Sequence, residues 1–495
     1  MAQSPARLPA RTTMDVYATL SHPVALTVFI LTLFLPVLVG FLAVRRTRSQ
    51  SDFFVGGRAM NRVVVALSAV SSGRSSWLVL GLSGVAYVRG ASAAWAFVGY
   101  TAVELLQCLY LGPRLRRETE RFGSITLLDY LESRFGDSEP RLRVIGSAII
   151  GIFITAYVAA QLNAGAKTLS SALGLNLVVC LILSALLILV YMVLGGYVAV
   201  AWNDVVRAVL MLLALIVLPA YGLVRVGGLA PLREQLVGLD PTLVDPFALG
   251  LGAFIGFVGI GLGSPGQPHI LVRYMSIDEP RHLRTAALIG TVWNVLLGLG
   301  AVLIGLLGRV LVPRVEALPG SDPEMIYLAL SSELFGPVLY GLLVGGVFAA
   351  ILSTADSQLL VVASTFARDV YEKTLRRDAK ADEAARLRLG RVVLIASGGL
   401  ALVLAWSAQD LVFWLVLFAW GGLGASLGPA LILSLFWRGA TRDGIAAGMV
   451  TGTVVTIGWR IWLRAPTGLY ELVPGFALAA LAIWVVSRAR RSQRS

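Results

Sequence analysis

Apolar runs of spanning length recur along the chain near 24 to 44, 63 to 88, 93 to 112, 144 to 170, 175 to 194, 197 to 224, 247 to 266, 285 to 311, 336 to 366, 390 to 406, 411 to 436, 444 to 463 and 470 to 487. A helix of about 20 predominantly apolar residues crosses a bilayer, so the pattern predicts thirteen transmembrane helices. Only Gly195 and Gly196 separate the fifth run from the sixth, which predicts a tight turn there. Two runs are interrupted. The second is broken by the polar stretch Ser71 to Trp77, S-S-G-R-S-S-W, and the seventh ends in G-L-G-S-P-G-Q-P-H from Gly261 to His269. Backbone without a regular helix partner is tolerated at membrane depth only where it is buried in protein or lines a cavity. Gly and Pro also simply permit close packing of membrane helices. No sequence repeat is visible, but the two breaks begin five helices apart. That is the spacing of two inverted five-helix repeats, and discontinuous helices at matching places point to a binding site near the midplane.

Composition agrees with a protein that is nearly all membrane. Of 495 residues, 57% are apolar and 14% charged, and the mean hydropathy is +0.80. No large soluble domain fits. The net charge of +13 does not imply nucleic acid, because the basic residues sort by membrane side. The loops following odd-numbered runs, with the C-terminal tail, hold 29 of the 41 Lys and Arg, and the opposite side holds 9. Excess Lys and Arg marks the cytoplasmic face, so the N-terminus is expected outside and the C-terminus inside a cell membrane. Cys108 and Cys180 both lie in apolar runs, as small hydrophobes do. No cleaved signal peptide is expected at the start of the chain, since no small-residue cleavage pattern follows the first apolar run. The stretch Arg368 to Arg391 reads as a solvated cytoplasmic loop.

The chemistry is concentrated in the ninth run, A-A-I-L-S-T-A-D-S-Q-L-L from Ala349 to Leu360. At about 100° per residue, Ala350, Ser353, Thr354 and Ser357 fall within an arc of about 100°. Hard cations take oxygen ligands, so this face set against the freed carbonyls of Ser71 and Arg74 would form a Na⁺ cage. Ser and Thr in membrane helices also bond to their own backbone or to a neighbouring helix. Charges within spans cost about 2.5 to 3.5 kcal/mol each at the bilayer centre, which singles out Arg74, Glu104, Asp204, Arg207 and Asp356. Asp204 and Arg207 are placed to neutralise each other along one helix, and Asp356, at the margin of the hydroxyl face, reaches either a second ion or a partner helix. A free guanidinium about 6 Å from a Na⁺ would oppose it by roughly 3 kcal/mol at an effective dielectric of 20. Arg74 is therefore expected to turn away and pair with Glu104 or Asp356, or to grip a substrate carboxylate. Enzyme constellations are absent: His22, His269 and His282 lack metal-ligand spacing, and no nucleophile elbow or P-loop occurs. His269 is expected to cap backbone beside Pro268.

The chain resembles the sodium/solute symporter family, in its sodium/proline branch. The resemblance runs nearly the whole length and is carried by G-G-R at 56 to 58, A-L-S-A at 66 to 69, W-L-V-L-G-L at 77 to 82, T-L-L-D-Y-L at 126 to 131, G-G-Y-V-A-V-A-W-N-D at 195 to 204, G-Q-P-H-I-L-V-R-Y-M at 266 to 275 and the S-T-A-D-S-Q-L-L run. It implies an all-α integral membrane protein with a leucine-transporter-like core. Residues 1–62 would hold an extra helix, 63–226 and 247–436 the two inverted repeats, and 437–495 two further helices and a basic tail. It implies a Na⁺ held by the carbonyls of Ser71, Arg74 and Ala350 and the hydroxyls of Ser353 and Thr354. A second ion site would use Asp204 with Ser357 and Asp356. Substrate would lie against Ser75, Ser76, Trp77, Tyr157, Gln161 and the break at 260 to 265.

Departures from that pattern fall in the pocket. Proline symporters carry an Asp where this chain has Gly73, a Trp at the place of Ile260 and a Tyr at that of Ser264. Arg74, Glu104, Arg207 and Asp356 are additions that sum to zero charge. The reading is a Na⁺-coupled symporter of a small organic solute, L-proline or a related amino acid first. The alternatives are another small carboxylate, coupling to H⁺ or no coupling, and, from another class, a sensor built on the transporter fold. No enzyme activity and no nucleic-acid partner are expected; the partners are the solute, sodium and the lipid bilayer.

Overall fold

The computed structural model describes residues 20–44, 55–137, 139–192, 197–375, 383–407 and 411–492. Among these, helices account for nearly all regular structure, and eight are long and apolar enough to cross a membrane, with five shorter apolar helices beside them. In chain order, the helices in the predicted runs are α1 (Pro23–Val44), α2 (Arg62–Gly73), α3 (Ser83–Arg89), α4 (Ala94–Leu106), α5 (Arg141–Leu173), α6 (Leu177–Met192), α7 (Tyr197–Val226), α8 (Leu251–Gly259), α9 (Pro268–Ser276), α10 (Leu283–Leu311), α11 (Pro337–Ser364), α12 (Glu383–Ser407), α13 (Val412–Phe436), α14 (Arg442–Gly458) and α15 (Leu472–Ser492). The expected turn at Gly195 and Gly196 lies outside the described residues.

The interruptions are where the sequence places them, and shorter. Asn61 caps α2 by accepting from the amides of Val63 and Val64, both at 3.0 Å. The helix holds through Ser71 and Ser72 and stops at Gly73, with Arg74 at φ −111°, ψ 64°. Ser76 is already helical, at φ −50°, ψ −25°, and helical turns run on from Trp77, so the irregular backbone is Arg74 and Ser75 rather than the whole polar stretch. In the seventh run α8 passes into a 3₁₀ segment, Ile260–Gly266, then extended backbone at Gln267, before α9 starts at Pro268. Between α3 and α4 the chain reverses at Gly90. Its φ of 67° suits a residue without Cβ, and a Cβ there would stand 2.2 Å from the carbonyl of Leu243.

α11 is buried along most of its length and packs on α1, α5 and α7, while α2 lies against α7 and α10. α4 meets α8 almost backbone to backbone, since a Cβ on Gly99 would reach within 2.1 Å of the Val258 carbonyl. Small residues allow such close crossings in lipid, where no hydrophobic gain drives helices together. The stretch beginning at Arg368 departs from the expected solvated loop: helical turns continue to Leu375, and Asp369 is buried. Asp369 pairs with Arg143, which also binds Asp129 at 3.0 Å, while Arg368 reaches Asp129 at 2.9 Å. Burial pushes the Asp129 carboxyl up, but the guanidiniums of Arg368 and Arg143 outweigh it and hold the group below its ordinary value.

Candidate functional site

The broken second helix and the hydroxyl face of α11 meet. Ser353 Oγ lies 3.0 Å from the carbonyl of Ser71 and 3.0 Å from that of Ala350. Thr354 Oγ1 lies 3.1 Å from the carbonyl of Ser72. Ser71, Ala350 and Ser353 thus converge, and Thr354 joins them through Ser72, a residue the sequence reading left out. α2 ends two residues beyond Ser71, so carbonyls of its last turn have no intrahelical donor four residues on and can turn to another partner. The side chain of Arg74 goes elsewhere, while its amide donates to Ser71 O at 3.4 Å.

Immediately beside this cluster lies a buried network of charges. Asp204 Oδ2 accepts from Ser68 Oγ at 2.7 Å, Ser72 Oγ at 3.0 Å and Arg273 Nη2 at 3.0 Å. Arg273 also donates to Ser357 Oγ at 2.5 Å and through Nε to Ser68 Oγ at 3.1 Å. Arg207 binds Asp356 Oδ2 at 2.5 Å, closer than the 3.8 Å to Asp204 Oδ1. The expected pairing of Asp204 with Arg207 is present as the longer contact, beside two shorter cross-helix pairs, Arg207 with Asp356 and Arg273 with Asp204. The residues expected at a second ion site, Asp204, Asp356 and Ser357, are brought together, with the guanidinium of Arg273 between Asp204 and Ser357. Arg273, expected in a cytoplasmic loop, is 1% exposed at the inner end of α9. Its position four residues after His269 was legible only once α9 was known to continue past Gly266. His269 stands edge-on to Tyr157, ring centroids 6.1 Å apart, rather than at the α9 cap, where Gln267 supplies no side-chain bond.

Arg74 pairs with Glu104 at 3.5 Å and donates through Nε to Asn294 Oδ1 at 3.0 Å. Asn294 in turn donates to Glu104, and the Arg74 guanidinium carbon lies 3.3 Å from the Tyr100 ring centroid. Of the expected outcomes, the structure realises the pair with Glu104. The Tyr100 hydroxyl explains Gly73, because a Cβ on Gly73 would stand 2.4 Å from that oxygen, 3.2 Å from Ile270 Cδ1 and 3.6 Å from Tyr100 Cζ. An acid at this position has no room while Tyr100 keeps its hydroxyl. Gly73→Ala is expected to lower uptake about five- to a hundredfold, from an overpacking cost of about 1 to 3 kcal/mol. Adding Tyr100→Phe, which leaves ordinary contact at Cζ and the 3.2 Å approach of the flexible end of Ile270, is expected to recover most of it. Initial uptake rates of the three variants check this, and equal rates in single and double variants would refute it.

Ser75, Ser76, Trp77, Tyr157, Gln161, Ile260 and Ser264 are buried, while Leu262 in the second break is half-buried. Ser75 Oγ lies 3.4 Å from Tyr157 OH, Ser76 donates through Oγ and N to Gln161 Oε1 at 3.0 and 3.3 Å, and Trp77 Nε1 donates to the Gly73 carbonyl at 3.2 Å. The carbonyl of Ile260 accepts from Trp420 Nε1 at 2.8 Å. Trp420 stacks at 5.3 Å on Tyr100, so the second break is tied to the first through a Trp–Tyr–Arg stack. Ser264 is buried in the second break itself. Tyr100, Asn294 and Trp420 carried no polar pattern in sequence that marked them, since each sits singly in an apolar run.

A family model described as the sodium:solute symporter family matches residues 53–452. A relative from Bacillus subtilis (strain 168), the high-affinity proline transporter PutP, is 37% identical over 455 residues, covering 91% of this chain and 95% of the relative. A sodium/proline symporter from Staphylococcus aureus is 36% identical over 464 residues, covering 91% and 90%. Among solved structures, a substrate-bound, outward-open Na⁺-coupled sialic acid symporter superposes with a TM-score of 0.81 at 18% identity, over 94% of this chain and 97% of that one. MhsT in complex with L-phenylalanine gives 0.56 at 15% identity, over 86% and 98%.

Proposed function

The chain belongs to the sodium:solute symporter family, and from that premise we propose that it is a Na⁺-coupled symporter of a small amino acid, L-proline first. The observation that carries the coupling ion is the meeting of the Ser71 and Ala350 carbonyls on Ser353, with Thr354 on Ser72, across the break in the second run. Four or five oxygens from two helices suit a small hard cation. Whole-length similarity to proteins named for proline transport supports the solute.

In this reading the ion ties α2 to α11. Without it the Ser353 and Thr354 hydroxyls donate to the carbonyls; with it those carbonyls turn to the ion, and the two helices are held at one spacing. The solute carboxylate is received at the start of the helical turns at Trp77, where backbone N–H groups and the helix dipole favour negative charge. The Ser76 amide is satisfied by Gln161 at 3.3 Å and the Trp77 amide by Ser75 Oγ at 3.4 Å, so a carboxylate would take over bonds already aimed at an oxygen. The fixed guanidiniums of Arg207 and Arg273 serve Asp356 and Asp204, so coupling is by one Na⁺ per solute. Residues 63–226 and 247–436 would form the two inverted repeats, in a cell membrane with the N-terminus outside and the C-terminus in the cytoplasm.

One charge moving down 100 mV supplies about 2.3 kcal/mol, enough for roughly fortyfold accumulation. Proteoliposomes loaded to give an inward Na⁺ gradient are expected to accumulate labelled L-proline, more so with the interior negative. Uptake that ignores Na⁺ but follows a pH gradient would assign the coupling to H⁺ instead.

A further inference from the structure

Helical turns continue from α4 without a break through Gln107–Leu111 and Gly112–Arg121. Where this extension passes the start of α10, a cleft of about 610 Å³ opens, lined by Arg114, Arg117, Arg281 and Arg284. Glu279 is the one acid among its described lining residues, and it pairs with Arg281. The other acids nearby are also taken. Glu120 binds Arg116 at 2.8 Å, Glu118 lies 3.7 Å from Arg121, and Asp278 lies 2.8 Å from His282. Both glutamates of the helical extension thus serve its two arginines outside the cleft. Among the described residues no carboxylate pairs with Arg114, Arg117 or Arg284. Arg114 is set in place by an aromatic ring instead, its guanidinium carbon 4.0 Å from the Phe436 centroid. Arg117 Nε donates to the Pro113 carbonyl at 3.2 Å.

From the cleft toward the middle of the bilayer each helix exposes an apolar column. Tyr110 and Leu106 stand at four-residue steps before Arg114, and Leu288 and Val292 at the same steps after Arg284. Residues four apart share a face of a helix. Basic pockets between membrane helices on the cytoplasmic side hold anionic lipid headgroups in this way. Three uncompensated guanidiniums round one hollow repel one another, and each can grip a phosphate through a fork of two N–H groups. We infer that the cleft holds the headgroup of an anionic phospholipid with two phosphates, the cardiolipin class, its acyl chains lying along the Leu106 and Leu288 columns. One phosphate carries too little charge to balance three cations. The site lies on the face proposed above to be cytoplasmic and needs neither solute nor Na⁺. It joins the inner ends of α4 and α10, the helices that bring Glu104 and Asn294 to Arg74, so the lipid steadies the frame of the first helix break.

Thermal unfolding of the delipidated protein in neutral detergent, titrated with cardiolipin, phosphatidylglycerol or inorganic pyrophosphate, tests the assignment. Cardiolipin is expected to raise the unfolding temperature, with half-saturation about tenfold below that of phosphatidylglycerol. Arg117→Gln combined with Arg284→Gln is expected to raise the cardiolipin half-saturation about ten- to thirtyfold, at about fivefold per arginine. Arg121→Gln, whose cation lies outside the cleft beside Glu118, should leave it unchanged. Equal potency of the two lipids would overturn the two-phosphate headgroup. An equal loss in Arg121→Gln and in the double variant would overturn the cleft, and full stabilisation by pyrophosphate alone would overturn the lipid. The four lining arginines are exposed, so the double variant is expected to fold; should it not, the three additives compared on the parent protein decide the matter.

Discussion

Asp204→Asn is expected to lower stability by about 3 to 5 kcal/mol and to abolish solute uptake. The carboxylate of Asp204 is fully buried and holds Ser68, Ser72 and Arg273 on one oxygen, at 2.7, 3.0 and 3.0 Å. An amide of the same size can keep a bond to one hydroxyl but cannot balance the charge of Arg273, whose guanidinium is 1% exposed. Breaking a buried pair by removing one partner leaves an uncompensated charge, which is far more costly than replacing the whole pair by apolar groups. The neighbouring carboxylate of Asp356 cannot take over, since it is held by Arg207 at 2.5 Å. Thermal unfolding of the purified protein in detergent checks the first part, and an unchanged unfolding temperature would refute it. Should the single variant give no protein, Asp204→Asn combined with Arg273→Gln is expected to restore yield, because the unbalanced charge is then gone. Uptake should remain lost in that pair, because Ser72 loses the carboxylate that orients it beside the Ser353 and Thr354 cluster.

This network shows what patterning along a chain can and cannot disclose. The apolar runs, both helix interruptions and the shared face of Ser353 and Thr354 were legible, because each depends on period and local chemistry: about 20 apolar residues per span, Gly and Pro at the breaks, and about 100° per residue on one helix. Partners across helices were legible in part, for Ser353 against Ser71 and for Arg74 with Glu104, and those of Arg273 and Arg143 were not. Arg273 looked like a loop cation because the apolar run stops at Gly266; the structure carries it inward on the second half of a broken helix, where it meets Asp204. Arg143 was placed among loop cations for the same reason and is buried among Asp129, Glu132 and Asp369. Arg74 could be bounded by electrostatics alone, since a cation had to be kept off the ion. Which carboxylate accepted it required α4 and α10 to be placed around α2. Gly73 is the clearest case. In sequence it is a missing acid, while in space it is the room taken by the Tyr100 hydroxyl, which belongs to a different helix and carries no signal at its own position.

Ser353→Ala together with Thr354→Val is expected to raise the Na⁺ concentration for half-maximal uptake by at least a hundredfold. Hydrogen bonds and oxygen contacts to charged groups are worth about 1.5 to 3 kcal/mol each, and two are removed, against 1.4 kcal/mol per factor of ten. Part of that loss is returned, because the same hydroxyls donate to Ser71 O and Ser72 O at 3.0 and 3.1 Å when no ion is bound. Removing them leaves those carbonyls short of a donor and destabilises the ion-free state as well. The net expectation is therefore nearer the lower bound of the sum, about 3 kcal/mol. The two roles of the hydroxyls can be told apart. If they act as ligands, Na⁺-dependent thermal stabilisation of the purified protein weakens in parallel with uptake, and saturating Na⁺ recovers much of the maximal rate. If they only bridge α2 to α11, the maximal rate falls at every Na⁺ concentration and the half-saturation point stays where it was. That second outcome would remove the ion from this site and leave the broken helix as a packing device.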